Sequence, residues 1–207
     1  MTLFAGRRVR DAMRLLIIGP QGAGKGTQAD LLCSEFGIPH VSTGDLFRAN
    51  IGAGTELGQR AKQYLDAGEL VPDAVTQDMV TDRLAQPDAA GGFLLDGFPR
   101  TIAQAKWLSA VLADRGTPIQ AVVLLTAPAE VLTQRMLARG RADDTPEAIR
   151  TRLEIYYSET QPLVDYYGPA VITIDGVGEI DEIHRRIMDA LRTGDAAAPP
   201  AGPSVSV

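Results

Sequence analysis

Cysteine is almost absent from this 207-residue chain. Cys33 is the single one, so no internal disulfide can form and no cysteine-ligated zinc site can be assembled. A reduced, cytoplasmic setting is the expectation that follows. Long apolar runs are missing too: none approaches the ~18–20 residues that a membrane-spanning helix needs. The N-terminus carries Arg7, Arg8 and Arg10 but has no apolar stretch of signal-peptide length before the first expected strand. Positive charge is in deficit, since 20 Lys and Arg against 26 Asp and Glu leave a formal charge of -6. That balance argues against broad nucleic-acid or membrane-surface binding. It leaves room for a small-molecule site in which local arginines build a positive pocket on an acidic body. There is no internal repeat and no Ser-His-Asp or paired-carboxylate arrangement. His40 and His184 stand in no catalytic context.

A hydrophobic fraction of 45% suffices for the core of one α/β domain with small insertions. Short, non-alternating apolar runs at Leu15 to Ile18, Ile38 to Val41, Phe93 to Leu95, Ala121 to Leu125 and Val171 to Ile174 read as buried parallel strands. Helical stretches at 28–36, 104–114, 129–139 and 147–157 fall between them. The alternation predicts a doubly wound parallel sheet with helices on both faces; the glycine loop at Gly19 to Thr27 makes it the P-loop NTPase type. Two stretches break the rhythm. Residues 42–71 are polar and helical in pattern, and 138–148 are short, charged and without an apolar face. Insertions at the carboxyl ends of strands are candidate flaps over a ligand. Residues 1–12 read as a disordered extension, with Met13 a natural start. From Thr193 onward the chain is Ala, Pro, Gly and Ser, which also reads as disordered.

Gly19 to Thr27 reads GPQGAGKGT, after an expected strand and before an expected helix, the context a phosphate-binding loop requires. Glycines let successive backbone N–H groups turn inward around an anion, and the helix N-terminus adds partial positive charge. Lys25 can then reach the outer phosphates. The position after the lysine ordinarily carries a Ser or Thr hydroxyl for magnesium; here it is Gly26, with Thr27 one residue later. This loop therefore does not grip the metal as switch GTPases do. GAGKGT is the variant found in nucleoside monophosphate kinases.

The remaining motifs extend that likeness. STGDLFR at 42–48, DAGELVP at 66–72, LLDGFPRT at 94–101, RMLARGRADD at 135–144, and then Arg150 and Arg152 follow in an order and spacing that strongly resembles adenylate kinase, from about Arg14 to Arg192. The resemblance implies reversible phosphoryl transfer from ATP to AMP giving two ADP, in adenine-nucleotide homeostasis and salvage, by a magnesium-dependent cytoplasmic monomer. It implies ATP binding by Gly22, Ala23, Gly24, Lys25, Gly26, Thr27, Arg139 and Gly178. It places AMP in the 42–71 insertion, against Thr43, Arg48, and the backbone of Glu69, Leu70 and Val71. Gly97, Phe98, Pro99 and Arg100 would lie along the AMP, Gln104 would read its base edge, and Arg141 and Arg152 would clamp phosphates. Longer relatives carry an added hairpin in the lid, sometimes with zinc; the 138–148 lid is too short for one, so no structural zinc is expected.

Chemistry supports this assignment. An AMP phosphate oxygen is already anionic at neutral pH, its second pKa being about 6, so no protein base is needed. Lys25, Arg100, Arg139, Arg141 and Arg152 would supply positive charge around the transferring group. Asp96 directly follows an apolar strand beside the phosphate loop, a place suited to a magnesium-bound water rather than a core ion pair. Asp143 and Asp144 read as lid-closing partners of arginines, and Cys33 as a small core residue. Thr43 has an equal alternative as a helix N-cap. The nearest rival is a UMP/CMP kinase of the same fold, but such relatives usually carry Ala in place of Thr43 and Asn in place of Gln104. A non-catalytic nucleotide-binding module would be expected to lack some of these cations, and none is missing. A GTPase switch would need an Asn-Lys-x-Asp motif, which does not occur.

Overall fold

Strand β1 (Arg14–Ile18) lies at the centre of the sheet, with β3 (Phe93–Asp96) on one side and β4 (Ala121–Thr126) on the other. The computed structural model in which this is seen describes residues 13–141 and 143–193; the expected extension 1–12 and the stretch 194–207 lie outside the described residues. β2 (His40–Ser42) and β5 (Val171–Asp175) complete a five-stranded, wholly parallel sheet of order β2-β3-β1-β4-β5. A strand with helices on both faces must be apolar on both, and Leu15 to Ile18 are at most 4% exposed.

Successive side chains point to opposite faces, so β1 feeds two cores. Leu15 and Ile17 pack with Leu94, Val123 and Ile172 and with residues of α1 (Lys25–Phe36), α6 (Ala129–Arg139) and α9 (Ile180–Thr193). Leu16 and Ile18 pack with Leu95, Val122 and Leu124 and with residues of α4 (Asp73–Leu84), α5 (Ile102–Asp114) and α8 (Leu163–Tyr167). In α9, Ile183, Ile187, Met188 and Leu191 are buried at helical spacing within a highly charged segment.

The 42–71 stretch folds as α2 (Thr43–Gly52) and α3 (Glu56–Ala67), with a small core of its own: Phe47, Ala61, Val71 and Met79. Of the charged segment expected as a lid, residues 138 and 139 end α6, and 146–148 open α7 (Pro146–Ile155), which Thr145 caps. The helix expected to reach Tyr157 gives way at Tyr156 to a π-helical turn, Tyr156–Thr160. The second strand starts at His40 rather than Ile38, since Pro39 has no N–H to give; its carbonyl accepts from Leu94 N–H at 3.0 Å. Among the described residues no helix is long and apolar enough to cross a membrane.

Candidate active site

The carboxyl ends of β1, β2 and β3 open onto one cavity of about 610 Å³, walled by the 19–27 loop, the start of α2, the end of α3, and α6 with the segment after it. Parallel strands all present their carboxyl ends on one side, which is where ligands bind in such sheets. Of the expected site residues, Gly22 to Thr27, Arg48, Glu69, Asp96, Gly97, Arg100, Arg139, Arg141, Arg152 and Gly178 line it. Leu70 and Pro99 line a cavity of about 30 Å³ beneath the phosphate loop. Thr43, Val71, Phe98 and Gln104 are buried behind these walls.

The loop needs its glycines. Gly22 has φ +87°, and a Cβ there would lie 2.7 Å from the Leu132 carbonyl oxygen, so any side chain would push the loop off α6. Lys25 opens α1, and its Nζ donates to the carbonyls of Gly19 at 2.8 Å and Pro20 at 2.9 Å. Burial lowers its pKa to about 8, helped by the positive charges of Arg100, Arg139 and Arg141 and opposed by Asp96. Lys25 and three arginines thus lie close enough to act on one another, with Asp96 as the carboxylate nearest in effect, a field that favours a polyanion.

Asp96 ends β3. Burial alone would raise its pKa, but His40, Lys25 and Arg100 outweigh that and hold it below the usual range. His40 Nε2 is 3.5 Å from Asp96 Oδ2, and His40 Nδ1 is 2.8 Å from Asp30 Oδ1. His40, for which the sequence offers no catalytic context, lines the cavity and faces the buried Asp96 carboxylate. A Cβ on Gly26 would lie 4.0 Å from Asp96 Oδ2, so this position of the loop sets no side chain against the carboxylate. An ionised, acceptor-only carboxylate facing open space suits the water shell of a divalent cation. Among the described residues no cluster of three or more His, Cys, Asp or Glu gathers to hold a metal ion.

The arginines fall into two groups. Asp144, its side chain 1% exposed, accepts from Arg139 Nε at 3.0 Å and Nη2 at 2.8 Å, and from Arg152 Nη1 at 2.9 Å. Arg152 also pairs with Asp143 and donates to the Leu65 carbonyl at 3.0 Å, which ties α7 to α3. Asp143 and Asp144 are thus arginine partners, as expected. Arg48 pairs with Asp45. Among the described residues, Arg100 and Arg141 make no ion pair, and Arg100 Nε donates to the Gly97 carbonyl at 2.8 Å.

On the insertion side, Ser42 caps α2 by accepting from Asp45 N–H at 3.2 Å, so Thr43 is not the cap. Its buried hydroxyl instead donates to the Asp96 carbonyl at 3.4 Å. Gln104 is 2% exposed; its Oε1 accepts from Arg100 N–H at 2.8 Å and its Nε2 donates to Asp73 Oδ1 at 2.6 Å. Phe98 packs edge-on against Trp107. Two groups escape a reading of the sequence. Arg135 Nη1 donates to the Gly176 carbonyl at 2.9 Å and lies 3.4 Å from that of Gly22, joining the phosphate loop to the turn that carries Gly178. Its place four residues before Arg139, on the same helical face, is the available signal. Gln28 Nε2 donates to the Ile180 carbonyl at 2.9 Å and holds the same turn from α1.

A phosphate-loop α/β fold with a cation-ringed cavity at the strand ends defines a nucleotide phosphotransferase. The family model for adenylate kinase matches residues 17–171. Adenylate kinases of Mycobacteroides abscessus and Corynebacterium glutamicum are each 58% identical to the chain over 179 residues, and that of Rhodococcus erythropolis is 55% identical over the same length. Each alignment covers 86% of this chain and 99% of the relative. The chain belongs to the adenylate kinase family, and its reaction is phosphoryl transfer between ATP and AMP.

Proposed function

We propose that the cavity residues divide the transfer between a donor half and an acceptor half. Gly22 to Thr27 and the Gly178 turn hold ATP, with Arg139 on its phosphates. Thr43, Arg48, the 69–71 backbone, the Gly97 to Arg100 segment and Gln104 hold AMP, with Arg141 and Arg152 clamping phosphates. The observation that carries this reading is the convergence of Lys25, Arg100, Arg139 and Arg141 on one cavity. Phosphoryl transfer asks for alignment and charge neutralisation more than for covalent chemistry. Guanidinium groups supply both through paired N–H donors.

Magnesium would supply charge neutralisation on the ATP phosphates. Asp96 is the residue that would hold a water of its shell, most other ligands coming from nucleotide and solvent. Water also competes as an acceptor, so the site must close. Arg152 already spans from α7 to α3, and closure of the 138–148 lid over bound phosphates would complete the arginine set only in the ternary complex. By family likeness and net charge the enzyme acts as a cytoplasmic monomer without nucleic-acid or membrane partners.

A coupled assay of ADP formation from ATP with AMP, UMP, CMP and GMP in turn tests the reading. AMP should be the preferred acceptor, with ATP hydrolysis very low in its absence. A preference for UMP would overturn the choice of acceptor, and equal ATP consumption with and without AMP would overturn the closure.

A further inference from the structure

Arg100 differs from Arg139, Arg152 and Arg48 in what aims it. Those three are aimed by carboxylates, whereas Arg100 has no ion pair among the described residues and depends on hydrogen bonds. Its backbone is gripped from both sides. The N–H donates to Gln104 Oε1 at 2.8 Å, and the carbonyl accepts from Thr160 Oγ1 at 3.0 Å, across 60 residues of sequence.

Thr160 makes this contact because of where it sits. Threonine hydroxyls in regular helices bond back to a carbonyl one turn earlier, as Thr81, Thr133 and Thr151 do here on Gln77, Ala129 and Glu147. Thr160 instead ends the π-helical turn that follows α7, in which the Gln161 N–H reaches the Tyr156 carbonyl at 2.8 Å. The extra residue in that turn swings the hydroxyl out of its own helix and onto the Arg100 segment. Such turns are rare and concentrate at functional positions. Thr160 is 6% exposed and borders the small cavity under the phosphate loop together with Lys25 and Arg100.

We propose that Thr160 is a positioning residue for phosphoryl transfer, its hydroxyl fixing the Arg100 carbonyl so that the guanidinium is held toward the reacting phosphates. The proposal rests on the role given to Arg100 above. Thr160→Val keeps the shape and removes only the hydroxyl; Thr160→Ser keeps the hydroxyl. The test measures kcat, KM for ATP and thermal unfolding midpoint for both variants, for Arg100→Ala, and for the Thr160→Val/Arg100→Ala double variant. Thr160→Val should lower kcat about fivefold to tenfold with KM for ATP unchanged, the size expected when one hydrogen bond acting in the transition state is lost. Thr160→Ser should restore most of it, and on the Arg100→Ala background the Thr160→Val change should cost no further kcat. Wild-type kcat in Thr160→Val, whatever its unfolding midpoint, overturns the proposal, as does an equal loss on both backgrounds. Near-normal turnover in Arg100→Ala overturns the role of Arg100 instead, which keeps the two failures apart.

Discussion

His40 Nε2 stands 3.5 Å from Asp96 Oδ2, so the carboxylate at the end of β3 faces an imidazole as well as Lys25. Burial pulls the His40 pKa down, but the Asp96 and Asp30 carboxylates outweigh it and the net shift is upward from 6.5. Asp96 is shifted downward from 3.8 for the complementary reason.

These directions fix a pH window for stability. The contribution of His40 is complete below its unfolded value and vanishes as pH rises through the raised folded value. That of Asp96 is complete above its unfolded value and vanishes as pH falls through the lowered one. The pair is therefore at full strength between roughly pH 4 and 6.5. Urea unfolding of wild type and His40→Gln should differ most near pH 5.5 and converge toward pH 9. A difference that is constant across this range would show that the imidazole is neutral throughout.

Lys25 is held near 8 mainly by burial and then by its arginine neighbours. A neutral amine gives no charge to a phosphate, so kcat/KM for ATP should decline as pH rises above about 8. A profile flat to about pH 9.5 would mean that Lys25 keeps its proton in the free enzyme or adds nothing to ATP capture.

Arg100→Ala should lower turnover by about 100-fold or more, the scale seen when one preorganised charge donor is removed from a reacting centre. Circular dichroism and the unfolding midpoint should stay close to wild type, because no carboxylate among the described residues loses an ion-pair partner. Turnover within a few-fold of wild type would remove Arg100 from the site.

Asp144→Ala should be a stability variant. Among the described residues it leaves Arg152, whose side chain is 7% exposed, with Asp143 as its only carboxylate partner, and breaking a buried pair in this way costs about 3 kcal/mol. Chemical denaturation reads the loss directly; an unchanged midpoint would mean that Asp143 and the Leu65 carbonyl suffice to hold Arg152.

Gly97 has φ +79°, and a Cβ there would lie 2.7 Å from Thr43 Oγ1 and 3.1 Å from Arg100 Nη2. Gly97→Ala should raise KM for AMP about tenfold while KM for ATP holds, because misplacing two acceptor-side groups disturbs one substrate and not the other. Equal increases for both substrates would show a general loss of fold rather than a local one.

Much of this was open to a reading of residues alone. The loop GPQGAGKGT announces itself because its glycine and lysine spacing reflects a local requirement, backbone N–H groups turned toward an anion. The five strands follow from short apolar runs, and the arginines from their motifs. What stayed hidden depends on pairing between distant segments. His40 pairs with Leu94 across β2 and β3, which places Asp96 two residues further along the same face, and nothing in the intervening chain signals that register. Ser42 and Thr43 are both good caps; only the extended backbone at Ser42 decides between them.

By itself the sequence determined the class of fold, the phosphate loop, and the set of cations from which the site is built, since each rests on local pattern or on residue type. The tertiary structure decided which cations are tied to carboxylates and which face the cavity unpaired, how the imidazole meets Asp96, and how a π-helical turn brings Thr160 to Arg100. These are relations across the sheet and between helix ends, set by packing and register, and no local propensity encodes them.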